Sequence, residues 1–290
     1  MIVIRNAATT LAFTLASGLA GAQSIDNSSI GKAGFREHKA TYGVVYRLPK
    51  DVTDVLDNKI YPPLRAGLVK LGLVAESRAF NLPHVTVVHI HSADPSTPRK
   101  MLAALPKAPP ALTLTLKNFY NTEAAAGAGA PWWFDLGVVK SGQGYTEMMK
   151  FNTAATAAMA PLRDGPLPRV TGPVYEKMGD AGKDLVKTVG VSGVNVWKDG
   201  KETASHNPHN TLMYSMTRYD DRLKGAMKEF ADEMNLVLPN GIDTQFKDVS
   251  IVEIGFMGNV LREFYRVNLE TGEAWDVVSG QPVKRPTGGY

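Results

Sequence analysis

Two short stretches constrain this chain more than anything else in it. Leu82-Pro83-His84-Val85-Thr86-Val87-Val88-His89-Ile90 and Asn207-Pro208-His209-Asn210-Thr211-Leu212-Met213-Tyr214 share one order: proline, histidine, any residue, threonine, then an apolar run. Proline is tolerated at the first position of a strand, where its missing N–H costs little. The Val, Ile, Leu, Met and Tyr residues that follow suit strands. Side chains two apart on a strand share a face. The spacing therefore puts His84 with Thr86 on one face, and His209 with Thr211 on another. Two such strands can build one pocket holding two imidazoles and two hydroxyls.

The rest of the chain allows a substantial core. Its 290 residues are 44% apolar and 21% charged, the composition of an ordinary globular protein. A formal net charge of +4 is too small to argue for a nucleic-acid groove and supports a modest bias toward anionic ligands. There is no cysteine, which excludes disulfides, thiolate metal ligands and a cysteine nucleophile. Residues 1–22 read as a signal peptide: Arg5, the apolar and small stretch Ala7 to Leu19, and Ala20-Gly21-Ala22 as a cleavage site. The mature chain is then expected to begin at Gln23 and to be periplasmic or secreted. The lack of cysteine favours a periplasm.

Along the chain the expected elements alternate. Strands are expected at 40–48, 84–91, 111–119 and 132–139, with a helix opening at Pro62-Pro63 and others at 98–105 and 144–160. The Ala/Gly run 124–131 reads as a loop. Residues 162–205, rich in proline and glycine, read as an insertion with a helix at 175–188 and a strand at 191–197. A strand at 209–217 and a helix at 221–235 follow. Strands 246–257 and 260–268 are joined at Gly258-Asn259, which is hairpin chemistry. Residues 269–290 read as a frayed tail.

The paired segments Pro83-His84-Val85-Thr86-Val87 and Pro208-His209-Asn210-Thr211-Leu212 resemble the motifs of the 2H phosphoesterase superfamily, which includes the 2′-5′ RNA ligase-like cyclic phosphodiesterases. Their spacing is longer than in compact members, and the insertion accounts for the excess. The resemblance implies an α+β fold: two lobes with antiparallel sheets facing across a central cleft, helices outside. The bilobal domain is expected over 23–268. The resemblance also implies a metal-independent phosphodiesterase, without cofactor, that opens cyclic or 2′-5′-type nucleotide phosphodiesters. His84 and His209 are the catalytic candidates and Thr86 and Thr211 the phosphate-binding ones. Histidine titrates near neutrality and can serve as acid or base, while hydroxyls can donate to phosphoryl oxygens. His209 is expected to activate water and His84 to protonate the leaving oxygen. The expected partner is a small nucleotide or short RNA-like substrate, with no membrane and no obligatory protein partner, the protein being a monomer. The alternative is a non-catalytic periplasmic protein that binds nucleotides or other anionic ligands on the same fold.

Other residues carry weaker signals. His89 and His91 form a His-x-His expected on the face opposite His84, and polar packing outweighs a metal site there. One of Trp132 and Trp133 is expected in the core, the other part-exposed. Arg47, Lys140, Arg218 and Arg266 are candidate phosphate ligands, with no signal selecting among them. There is no serine-hydrolase elbow, Walker loop or dinucleotide fingerprint.

Overall fold

The computed structural model describes residues 36–37, 40–72, 82–107, 112–123, 132–163, 170–171, 195–198, 201–204, 207–215, 221–255 and 258–285. The expected signal peptide, the helix at 175–188 and Arg218 lie outside the described residues. The strands are β1 (Arg36–Glu37), β2 (Ala40–Arg47), β3 (His84–Ser92), β4 (Leu112–Glu123), β5 (Trp132–Val138), β6 (Val170–Thr171), β7 (Asn195–Lys198), β8 (Lys201–Ala204), β9 (His209–Ser215), β10 (Ile242–Phe246), β11 (Asp248–Ile254), β12 (Val260–Asn268), β13 (Ala274–Asp276) and β14 (Gln281–Val283). The α-helices are α1 (Lys50–Val55), α2 (Tyr61–Lys70), α3 (Thr97–Ala104), α4 (Gly142–Met159) and α5 (Asp221–Val237).

The fold is α+β, and two antiparallel sheets dominate it. One has six strands in the order β14-β13-β12-β11-β2-β3, the other four in the order β10-β4-β5-β9. Each motif strand is therefore the edge strand of its own sheet: β3 pairs with β2, and β9 pairs with β5. The two edges meet, because Asn210 Nδ2 on β9 donates to the His84 carbonyl on β3 at 2.9 Å. The sheets are not sequence halves. The six-stranded one is built from the first and last thirds of the described chain, the four-stranded one mainly from the middle.

Both sheets bury one face against the helices. Tyr46 on β2 packs against Phe151 of α4 and Phe246 of β10, and its hydroxyl donates to Asn152 Oδ1. Leu114, Leu116, Phe134 and Leu136 of the second sheet join the same core as Met227 and Met234 of α5. The opposite faces hold the histidine–threonine pairs. On the six-stranded sheet that face also carries a small apolar patch of Val45, Val252, Ile254 and Val260, with Leu82 against it.

Several sequence expectations shift. Helical structure begins at Lys50, well before Pro62-Pro63, and passes through a π-helical turn at Leu56–Ile60 before the two prolines open α2. The expected strand 246–257 is broken at Lys247, with β10 before it in one sheet and β11 after it in the other. The hairpin at Gly258 is present, with φ +89 there. The expected frayed tail instead forms β13 and β14, which complete the six-stranded sheet. Pro282 stands in its outermost strand, where a missing ladder donor is tolerated. Within the insertion, β7 and β8 pair as a hairpin.

Candidate functional site

The two motif strands are built alike. Pro83 O accepts from Leu48 N at 3.0 Å, and Pro208 O accepts from Val138 N at 3.2 Å. The prolines spend no donor and still tie their strand starts to the neighbouring strand. His84 Nδ1 lies 2.8 Å from Leu82 O, and His209 Nδ1 lies 2.6 Å from Asn207 O. A carbonyl only accepts, so in both rings the proton sits on Nδ1. That bond sets the tautomer and directs Nε2 away from the strand.

A bulge follows each motif. On β3, Val45 pairs with Thr86 but Val44 with Val88, which leaves Val87 as the extra residue. On β9, Asp135 pairs with Thr211 but Phe134 with Met213, which leaves Leu212 extra. The burial agrees: Val87, Val88, Leu212 and Met213 all sit in the core. A bulge lets a strand turn while its apolar residues stay packed. It also corrects one expectation. Past Val87 the faces exchange, and His89 and His91 pair with Gly43 and Thr41, on the same side of the sheet as His84 and Thr86. His91 is buried, its Nδ1 3.0 Å from the Thr41 hydroxyl, and its ring stands beside that of His89.

The two histidines differ in surroundings. His84 is 7% exposed, and burial pulls its pKa down to about 4 against the opposing pull of the Leu82 carbonyl. A smaller contribution in the same direction comes from His209, so the two imidazoles feel one another's charge. His209 has a more open side chain and faces a carboxylate: its Nε2 is 3.9 Å from Asp135 Oδ1, an ion pair whenever the ring is protonated.

Asp135 is the residue that sequence reasoning missed. It is 1% exposed, and two hydroxyls hold it: Thr211 Oγ1 donates to Oδ1 at 2.7 Å, Thr122 Oγ1 to Oδ2 at 2.8 Å. Both oxygens of this buried carboxyl group thus accept a hydrogen bond, which offsets the cost of burying it. The available signal was a lone charged residue inside the otherwise apolar run WWFDLGVV. Thr211 thus gives its hydroxyl hydrogen to Asp135 in this structure, and a phosphoryl oxygen would compete for it. Tyr120 pairs with Asp135 across β4–β5, and its hydroxyl accepts from Asn207 Nδ2 at 2.9 Å. Burial, followed by the Asp135 charge, pushes the Tyr120 phenol well above its usual range.

Of the basic candidates, Arg47 pairs with His84 across β2–β3 and so shares its side of the sheet. Glu263 receives Arg47, Ser250 and both arms of Arg266. Burial alone would raise the Glu263 carboxyl, but the bonds from Arg266, Arg47 and Ser250 outweigh it and hold the group below its usual range. Lys140 is exposed. Trp132 is in the core, whereas Trp133 is half-buried and lies across β4–β5 from Thr122. Among the described residues no group of three His, Asp or Glu side chains is arranged to hold a metal ion.

No family description and no curated protein match the chain. Among solved structures it is similar to Usb1 of Kluyveromyces marxianus, with 11% identity, 73% of this chain and 92% of that chain covered and a TM-score of 0.39. It is also similar to E. coli LigT complexed with NADP+, with 11% identity, 85% and 96% covered and a TM-score of 0.38. A structure described as a phosphoesterase shows 10% identity, 86% and 98% covered and a TM-score of 0.37. At such low identities and TM-scores, the chemistry of the site rests on its own residues.

Proposed function

We propose that this chain is a phosphodiesterase that opens cyclic or 2′-5′-type nucleotide phosphodiesters with its two histidines as acid and base. One observation supports this above others: two edge strands with the same proline-histidine-x-threonine build, the same Nδ1 tether and the same bulge are joined through Asn210 and the His84 carbonyl. The repeated motif that resembles the 2H phosphoesterase superfamily thus recurs as repeated geometry.

The proton roles run opposite to the sequence expectation. His84, held neutral by burial, has a lone pair on Nε2 at neutral pH and takes the proton of the attacking water. The water oxygen bonds to phosphorus as the ester bond on the far side breaks. His209, its imidazolium facing the Asp135 carboxylate, gives its Nε2 proton to the leaving oxygen. The product is a phosphomonoester. Thr86 donates to a non-bridging oxygen, and Thr211 does so when it releases Asp135. The two imidazoles supply both proton transfers, so turnover is expected to survive a chelator.

The test is turnover of 2′,3′-cyclic nucleotides and short 2′-5′ and 3′-5′ oligonucleotides with and without EDTA, for the wild type, His84→Ala and His209→Ala. Loss of turnover in both variants and indifference to EDTA are expected; full activity in either variant overturns the proposal. Export to the periplasm is proposed on the leader-like residues 1–22. An N-terminus at Gln23 on the exported protein supports it, and an intact Met1 in that fraction overturns it.

A further inference from the structure

The face that carries His84 and Thr86 does not end at the motif. Register partners run across the six-stranded sheet from Thr86 to Val45, Ser250, Arg266 and Trp275 in turn. Cross-strand partners share a face, so this row is continuous on the side that carries the histidine. Four strand spacings of ~4.8 Å separate its ends, roughly 19 Å.

The row has a distinct far end. Arg266, Trp275, Asp248 and Asp276 line a cleft of about 450 Å³. Trp275 is half-buried there. Both carboxylates already accept hydrogen bonds, Asp276 Oδ1 from Val278 N and Ser279 N and Asp248 Oδ1 from Asn268 Nδ2 at 3.5 Å, and each has a second oxygen that can accept from a ligand. Between the two ends, Glu263 fixes two guanidinium groups: Arg47, opposite His84, and Arg266, opposite Trp275. Two arginines against one glutamate leave a positive balance in the middle of the row, while Asp248 and Asp276 make its Trp275 end acidic.

We propose that the Trp275 cleft is a subsite for a nucleobase, and that the preferred substrate is a single-stranded nucleotide chain running from the two histidines past Arg47 and Arg266 to Trp275. This rests on the phosphodiesterase reading above and extends it to a substrate longer than a mononucleotide. An indole offers a stacking surface to any base, and arginines track a phosphate backbone without reading sequence. The Asp248 carboxylate accepts from exocyclic amino groups of the base. The subsite sits on β13, in the segment whose sequence reads as a tail.

The experiment is fluorescence anisotropy of the full chain with a labelled single-stranded RNA pentamer ending in a 3′-phosphate, competed by unlabelled pentamer or by a nucleoside 3′-monophosphate. The wild type is expected to prefer the pentamer, and Trp275→Leu to lose that preference by roughly 5- to 150-fold, the range of one base–aromatic stack. Trp275→Phe, which keeps a ring, is expected to retain most of it. Thermal melts confirm that both variants fold. Equal affinity of the wild type for pentamer and mononucleotide, or an undiminished preference in a folded Trp275→Leu, overturns the subsite. Trp275-dependent pentamer binding without turnover of any phosphodiester sustains the subsite while the catalytic reading fails.

Discussion

The side-chain amide of Asn210 donates to the backbone carbonyl of His84 at 2.9 Å, and so joins the two sheets at the point where each presents its histidine. The donor is the residue between His209 and Thr211. The variable position of the second motif is thus spent on holding the first. Asn210 is fully buried, so the bond is shielded from water.

Removing that bond tests its importance. Asn210→Ala leaves the His84 carbonyl without this buried donor, a loss of about 1–3 kcal/mol. Denaturant melts are expected to show that loss. Turnover is expected to fall further than stability does, because the two rings lose their common reference. Wild-type kcat in a destabilised Asn210→Ala protein would show that the tie is structural alone.

The pH–rate profile follows from His84. A general base works in its unprotonated form, and burial places the His84 transition near 4. On the acid side kcat/KM is therefore expected to rise around pH 4 and to be flat by pH 6. A rise centred near 6.5, the ordinary imidazole value, would take the base role away from His84.

The same burial has a stability consequence. The folded chain binds the His84 proton less readily than the unfolded chain does, so unfolding takes up a proton between about pH 4 and pH 6.5. Stability contributed by this site rises with pH across that window, by about 3 kcal/mol in all. His84→Gln cannot titrate and is expected to flatten that part of the curve in urea melts from pH 4 to pH 7. An equally steep curve in the variant would rule out His84 as its source.

Asp135→Asn separates charge from shape. The amide oxygen can still accept from one threonine, but the negative charge facing His209 is gone. The fold is expected to persist, with kcat lower by roughly 10- to 100-fold, within the ~1–4 kcal/mol that one charge about 4 Å from a protonated imidazole is worth. A folded Asp135→Asn with unchanged kcat would leave Asp135 a purely structural carboxylate.

What was legible in the sequence was local. Strands β2, β3, β5 and β9, helices α3, α4 and α5, and the turn at Gly258 were readable because each depends on periodicity or turn chemistry within its own segment. The faces of His89 and His91 were not readable, because a period-2 reading fails at a bulge and Val87 looks like any other strand valine. The break at Lys247 was hidden for a similar reason: β10 and β11 form one nearly continuous extended run, and only pairing assigns them to different sheets. Residues 274–283 are too short and polar to read as strands by themselves. They are strands because β12 offers them an edge.

Two proline-histidine-x-threonine strands, a chain that mixes strands with helices, and the pairing of each imidazole with a hydroxyl two residues on were all set by the order of the residues. That order acts through the strand period and through proline's lost donor. Which histidine is buried, which one meets Asp135, and that Asn210 bridges them were decided by tertiary structure alone. Desolvation, buried charge and cross-sheet hydrogen bonds depend on atoms from β3, β5 and β9, segments far apart in the chain that meet only when it folds.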